Sequence, residues 1–164
     1  ELALRGQHNV YNSLAAAVAA RAMEVGSATV RESLSAFEGV EHRLEWVREL
    51  DGVAYFTDSQ ATNVNAVWYA LESFQQPVVL IAGGRDKGND YSSLVPLIRE
   101  KVTAVIAIGE SADTLEAALQ GAARCVRAGS MAEAVERARA EAAPGDVVLL
   151  SPACSSFDLS LIHI

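Results

Sequence analysis

From residue 53 onward, short uninterrupted apolar runs take turns with helical patterns, and this alternation constrains the fold more than any other feature of the chain. Apolar runs stand at 53–56, 78–82, 104–108 and 147–150, with a weaker one near 124–126. Helical patterns fill the gaps at 63–74, 92–101, 111–119 and 131–142, the last opening on a Ser130/Glu133 capping box. Strands buried on both faces need such runs without polar alternation, and parallel pairing needs a crossover helix between strands. The pattern therefore predicts an α/β fold, an open, mostly parallel, Rossmann-like sheet with helices on both faces. Pro96 sits early in its helix, where a missing N–H is tolerated.

The region before residue 53 reads differently. Residues 44–46 and 53–56 flank Asp51-Gly52, which is a hairpin signal with a type I′ turn. Residues 9–25 read as a helix closed by Gly26, and 30–38 as a second helix opened by a Thr29/Glu32 capping box. Two helices make a poor core, so this opening segment is expected to pack on something else.

Composition narrows the function classes. The 164 residues are 51% apolar and 21% charged, which is globular rather than disordered. The net charge is -8 and the only lysines are Lys87 and Lys101, so neither a phosphate-tracking surface nor a nucleic-acid partner is expected. Cys125 and Cys154 are too few for a disulfide framework and suit a reducing cytoplasm. No apolar run nears the ~18 residues of a membrane span, so no membrane association is expected. The chain opens on Glu1 rather than Met and reads as a fragment.

In open α/β sheets ligands sit beyond the carboxyl ends of the strands. The segments directly after the runs are Thr57-Asp58-Ser59-Gln60-Ala61-Thr62-Asn63, Gly83-Gly84-Arg85-Asp86-Lys87-Gly88, Gly109-Glu110-Ser111 and Ser151-Pro152-Ala153-Cys154-Ser155-Ser156. Small and hydrogen-bonding residues crowd these segments, which predicts one rim forming a polar small-molecule site. Each segment also has a plainer reading. The 83–88 loop either cradles an anion with backbone N–H groups and Lys87 or is a glycine turn with a solvated lysine, and it is no P-loop. Asp58, Ser59 and Thr62 either meet a ribose, a metal or a carboxylate, or form an N-cap cluster with Asn63. His42-Arg43 either binds phosphate or merely starts a strand, and Asn9 either serves a ligand or caps its helix. Cys154 reads as a small packed residue. No cluster has metal-ligand spacing.

Five motifs carry a resemblance. Gly6-Gln7-His8-Asn9-Val10-Tyr11-Asn12, Glu41-His42-Arg43-Leu44-Glu45, Asp58-Ser59-Gln60-Ala61-Thr62-Asn63, Ala82-Gly83-Gly84-Arg85-Asp86-Lys87-Gly88 and the stretch from Leu149 through Ser156-Phe157-Asp158 occur in the order found in the Mur ligases. Within that family the Asp58–Asn63 stretch is similar to the D-glutamate-adding branch. The resemblance implies an ATP-dependent amide ligase of peptidoglycan synthesis, with UDP-N-acetylmuramoyl-L-alanine, D-glutamate and ATP as substrates and an acyl phosphate as intermediate. It implies that residues 1–40 end a central ATP-binding domain and that 41–158 form a carboxy-terminal amino-acid-binding domain. Asn9, Asn12, Arg43 and Asp58 would then bind ATP, and Thr62, Lys87, Ser156 and Phe157 would bind D-glutamate. Ser59, Gln60 and His42 stay open. Mg²⁺ would belong to the central domain, so this piece alone is expected to be inactive, and a monomer is expected.

The family usually has Lys where Gln60 stands, and a neutral donor there would cost about tenfold in D-glutamate affinity. Residues 159–164 depart from the family and read as a non-native tail. Two alternatives remain: a stand-alone nucleotide- or amino-acid-binding module without catalysis, and a Mur ligase adding another acidic amino acid.

Overall fold

Six consecutive buried residues, Val78–Gly83, form a strand that can only be central. The computed structural model describes residues 6–85 and 87–155. It divides the chain into two compact units, Glu1–Glu41 and His42–Ile164.

Among the described residues the second unit contains all the strands: β1 (Glu45–Leu50), β2 (Val53–Thr57), β3 (Val78–Gly83), β4 (Val102–Ile108), β5 (Arg124–Ala128) and β6 (Val147–Leu150). Their order across the sheet is β1-β2-β6-β3-β4-β5. Only β1 is antiparallel, joined to β2 through Asp51 (φ 55°) and Gly52 (φ 77°), the paired left-handed conformations that a type I′ turn requires. A register shift between Trp46 and Arg48 breaks the alternation of β1, leaving both Trp46 and Val47 exposed. The other five strands run parallel.

Successive side chains of β3 feed opposite faces. Val78, Leu80 and Ala82 belong to one apolar cluster, while Val79 and Ile81 belong to the other. On the first face lie α3 (Val64–Glu72), α4 (Val95–Lys101) and α5 (Ala112–Ala118), through Val67, Leu71, Ile98 and Leu115. The second face takes α6 (Met131–Glu141) through Ala134 and Ala138. The α6 crossover carries the chain back across the sheet and inserts β6 between β2 and β3. The segment after β6 thereby emerges between those that follow β2 and β3.

Several expected boundaries shift for local reasons. Ser130 caps α6 as expected, its Oγ accepting from the Glu133 N–H at 3.2 Å, and Glu133 reaches back to the Gly129 N–H at 2.7 Å. The expected helix 92–101 is a 3-10 turn, Ser92–Leu94, followed by α4. Lys101 then ends α4 and fastens the neighbouring helix. Its Nζ donates to the carbonyls of Leu71, Glu72 and Phe74 at 3.3, 3.2 and 2.7 Å, adding a charged donor at the end of α3, where Leu71 O also accepts from Phe74 N–H.

The first unit holds α1 (Gln7–Ala22) and α2 (Ser27–Ala36). Gly6, not Asn9, is the N-cap of α1. Nor does Gly26 close α1. Glu24 takes the left-handed conformation (φ 64°) in a Schellman motif, with Val25 N–H bonded to Ala20 O and Glu24 N–H to Arg21 O. Gly26 instead caps the start of α2, so the expected Thr29/Glu32 box is not formed. In α2 no residue is buried, and Tyr11, Leu14 and Val18 of α1 are exposed.

Two outcomes are expected. Lys101→Met should lower the unfolding free energy by about 1–3 kcal/mol in denaturant melts, because three carbonyls lose a charged donor. In native-state hydrogen exchange, amides of α1 and α2 should exchange far faster than those of β3, β4 and β6, whose side chains are almost all buried.

Candidate functional site

The carboxyl ends of β2, β3, β4 and β6 are knitted together by backbone hydrogen bonds. Gly83 N–H donates to Pro152 O at 2.8 Å, Gly84 N–H to Ile108 O at 3.0 Å, Arg85 N–H to Ser155 O at 2.9 Å and Ser111 N–H to Gly84 O at 2.9 Å. Gly83 (φ 129°) and Gly84 (φ 135°) are required here. A Cβ on Gly83 would collide with the Ile108 carbonyl oxygen, and one on Gly84 with that of Ser155. The expected anion cradle is therefore not made by the N–H groups of 83–85, which are spent on neighbouring loops. Lys87 lies beyond them, exposed, and no hydrogen-bond or ion-pair partner reaches it among the described residues. Arg85 pairs with Glu110 at 3.5 Å on the same edge.

Asp58 organises the other half of the rim. It is only 6% exposed, yet both carboxylate oxygens are engaged: Oδ1 accepts from Leu44 N–H at 3.3 Å and Oδ2 from Ser151 Oγ at 3.1 Å. Burial pushes its pKa up to about 6, against the lowering pull of Ser151, the Leu44 N–H and the Arg43 charge. The side chain thus clips residues 42–44 to the end of β6. Gln60 adds two further ties to this strap, its N–H donating to His42 O at 3.3 Å and its Oε1 accepting from Arg43 Nε at 3.2 Å. The His42 N–H donates to Glu45 Oε2 at 2.7 Å. Within the strap His42 (φ 64°) and Leu44 (φ 47°) are left-handed, as is Ala153 (φ 61°) across the rim. Each costs on the order of 1 kcal/mol and persists because its neighbours over-determine it.

The fold brings Arg43, Asp58, Ser59, Gln60, Thr62 and Lys87 onto one unit with the rim. Asn9 and Asn12 lie on one face of α1 in the first unit. Ser156 and Phe157 lie outside the described residues. Gln60 does not cap the following helix: Asn63 does, its Oδ1 accepting from Ala66 N–H at 2.9 Å. Gln60, whose role the resemblance leaves open, stands against Arg43. Cys154 is packed as expected, its Sγ 3.1 Å from Tyr91 Oη and 3.4 Å from Ser111 Oγ, with all three residues buried. Sequence reasoning placed Ser151 on the rim without a role and passed over Asn89 and Tyr91. Among the described residues no group of three His, Cys, Asp or Glu side chains is placed to hold a metal, and no helix is long and apolar enough to cross a membrane.

A mostly parallel sheet whose polar loops meet at one carboxyl edge places this domain in the class of open α/β folds, in which ligands sit beyond the carboxyl ends of the strands. Residues 42–154 match the family model described as Mur ligase, glutamate ligase domain, so the chain belongs to the Mur ligase family. It is 66% identical over 160 residues to the UDP-N-acetylmuramoylalanine--D-glutamate ligase of Salinibacter ruber, covering 97% of this chain and 35% of that protein. The ligase of the same name from Chloroherpeton thalassium is 53% identical over 155 residues, covering 94% and 33%. The chain thus spans about a third of the length of the curated relatives it matches. The fold is shared with a solved structure, a pseudomurein peptide ligase type C from Methanothermus fervidus, at a TM-score of 0.74 and 20% identity over 92% of this chain and 34% of that one.

The buried carboxyl of Asp58 makes a pH prediction. Its folded pKa lies above the unfolded value of 3.8, so the folded state holds the proton more tightly. The stability this contributes is complete below pH 3.8 and is lost as pH rises through about 6. Asp58→Asn keeps an acceptor for Leu44 N–H and a donor for Ser151 Oγ without titrating. Relative to the parent, this variant should gain on the order of 2 kcal/mol between pH 4 and pH 7 in chemical unfolding.

Proposed function

We propose that this chain is the carboxy-terminal third of an ATP-dependent ligase that joins D-glutamate to UDP-N-acetylmuramoyl-L-alanine in peptidoglycan synthesis. The observation that carries this reading is the meeting, at one sheet edge, of the segments bearing Thr62, Lys87 and Ser155, beside a strap that holds Arg43. The names and identities of the relatives support it. Residues 1–40 are assigned to the end of the central ATP-binding domain, residues 41–158 to the amino-acid-binding domain, and 159–164 to a non-native tail.

In this reading the residues divide by charge. D-glutamate brings two carboxylates and an amine that must be neutral to attack. Lys87 supplies a cation for one carboxylate, while the hydroxyls of Thr62 and Ser156 and the ring of Phe157 hold the rest. Arg43 faces the phosphates of ATP, with Gln60 fixing its guanidinium and Asp58 fixing the backbone that carries it. Asp58 thus acts by holding the strap, with its ribose contact secondary to that. His42 shares the strap, Ser59 shares its anchor, and Asn9 and Asn12 serve the nucleotide base. The terminal carboxylate of the sugar substrate attacks the γ-phosphorus of ATP, the bond to the β–γ bridging oxygen breaks, and ADP departs to leave the acyl phosphate. The amine lone pair then attacks the acyl carbon, the C–O bond to phosphate breaks, and phosphate leaves as the amine loses a proton. Mg²⁺ would belong to the central domain and would there supply neutralisation of phosphate charge; the described residues of this chain would not hold it. The substrates are small molecules, the setting is the cytoplasm, and the enzyme works as a monomer without nucleic-acid or membrane partners.

Steady-state kinetics on the complete ligase test this. Lys87→Ala should raise the D-glutamate KM by about tenfold or more, the loss of a charge-assisted bond, with the ATP KM within about twofold. Gln60→Lys, which alters the Arg43 side, should leave the D-glutamate KM within about twofold. An unchanged D-glutamate KM in Lys87→Ala would remove this loop from the site.

A further inference from the structure

Three segments of the rim meet at one strained residue. Ala153 holds a left-handed backbone (φ 61°), which alanine adopts only when both of its peptide groups are fixed from outside. Its N–H donates to Ala61 O at 2.9 Å, one residue before Thr62. Its carbonyl accepts from Asn89 Nδ2 at 3.1 Å, two residues after Lys87. Beneath it Cys154 is walled in by Tyr91 and Ser111, so the turn cannot sink into the core. Downstream, Ser155 O accepts from Arg85 N–H at 2.9 Å, two residues before Lys87.

Lys87 is therefore bracketed. One tie, through the Arg85 backbone, holds its loop on the incoming side, and any residue at 85 other than proline supplies it. The other tie is a side chain. Without the Asn89 amide the outgoing side of the loop would keep only the more distant Tyr91–Cys154 contact to the turn, and the Ala153 carbonyl would lose the donor that helps pin its left-handed conformation. Both consequences bear on the distance between Lys87 and the segments of Thr62 and Ser155.

We propose that Asn89 is a positioning residue for the amino-acid rim: its amide, bonded to the Ala153 carbonyl, sets the Lys87 loop in register with the 153–155 turn and with Ala61. This rests on the assignment of Thr62, Lys87 and Ser156 to D-glutamate. Asn89 touches no reacting atom in this scheme and acts through Ala153 and Lys87.

The test uses the complete ligase with Asn89→Leu, a neutral side chain of similar size that cannot donate, and Asn89→Ala as a second truncation. Lys87→Ala is measured in parallel. D-glutamate and ATP are varied separately at saturating co-substrates, and thermal unfolding is followed for every variant. The expected result is a D-glutamate KM raised about tenfold in both Asn89 variants, an ATP KM within about twofold, and kcat reduced by less than the KM is raised. Equal rises in the two KM values, or a lowered melting temperature with the D-glutamate KM unchanged, would overturn the positioning role. If Lys87→Ala raises the D-glutamate KM and the Asn89 variants do not, the rim assignment stands and this inference fails. If Lys87→Ala is silent, the rim assignment itself fails.

Discussion

The rim depends on how closely the end of β3 can approach its neighbours. At Gly83 and Gly84 the backbone comes near enough to the Ile108 and Ser155 carbonyls that no side chain fits. The N–H groups freed by that approach bond the loops after β6 and β4. Backbone bonds of this kind depend on the two glycines and little else, so the platform is indifferent to most substitutions around it. The side chains proposed to meet the amino acid, Lys87 and Thr62 among them, are then carried on segments joined to a fixed base.

On the other half of the rim the organising group is a charge rather than a backbone. Burying Asp58 raises the energy of its ionised form, and the Leu44 N–H, Ser151 hydroxyl and Arg43 guanidinium only partly offset that. A carboxylate kept under such conditions draws donors from two distant segments to itself. This explains why residues 42–44 accept two left-handed conformations, since a relaxed strap would withdraw the Leu44 N–H from its acceptor.

Most of the second unit was legible in the sequence because its signals are local. Apolar runs without alternation marked the buried strands, Asp51-Gly52 marked the hairpin, and Ser130 with Glu133 marked the start of α6. The first unit was misread at its caps. Glu24 does by context what Gly26 would do by conformational freedom, and Gly26 begins the next helix instead. The rim was legible as a set of loops but not as a network. Nothing in Gln60 reveals that its amide turns to Arg43, because that partner lies 17 residues away in sequence. Asn89 is harder still, with a partner 64 residues off whose importance comes from a backbone angle. Side-chain identity is a local fact, and positioning is not.

The two faces of the sheet differ in how they are covered, and that difference governs which changes the domain can accumulate. Where α3, α4 and α5 share a face, large interdigitating side chains meet, and a lost methylene on one helix has several neighbours able to close around it. The opposite face gives α6 its fully buried seat through alanines, Ala134 and Ala138, with Met131 packed only at the helix start, so the middle of the helix has no long buried side chain to yield. Enlargement there would lift the whole helix, and with it the crossover that delivers β6 to the middle of the sheet. Sequence drift in a lineage carrying this domain should therefore be one-sided, with volume traded freely among residues such as Leu71, Leu94 and Ile98 while the α6 seat stays small.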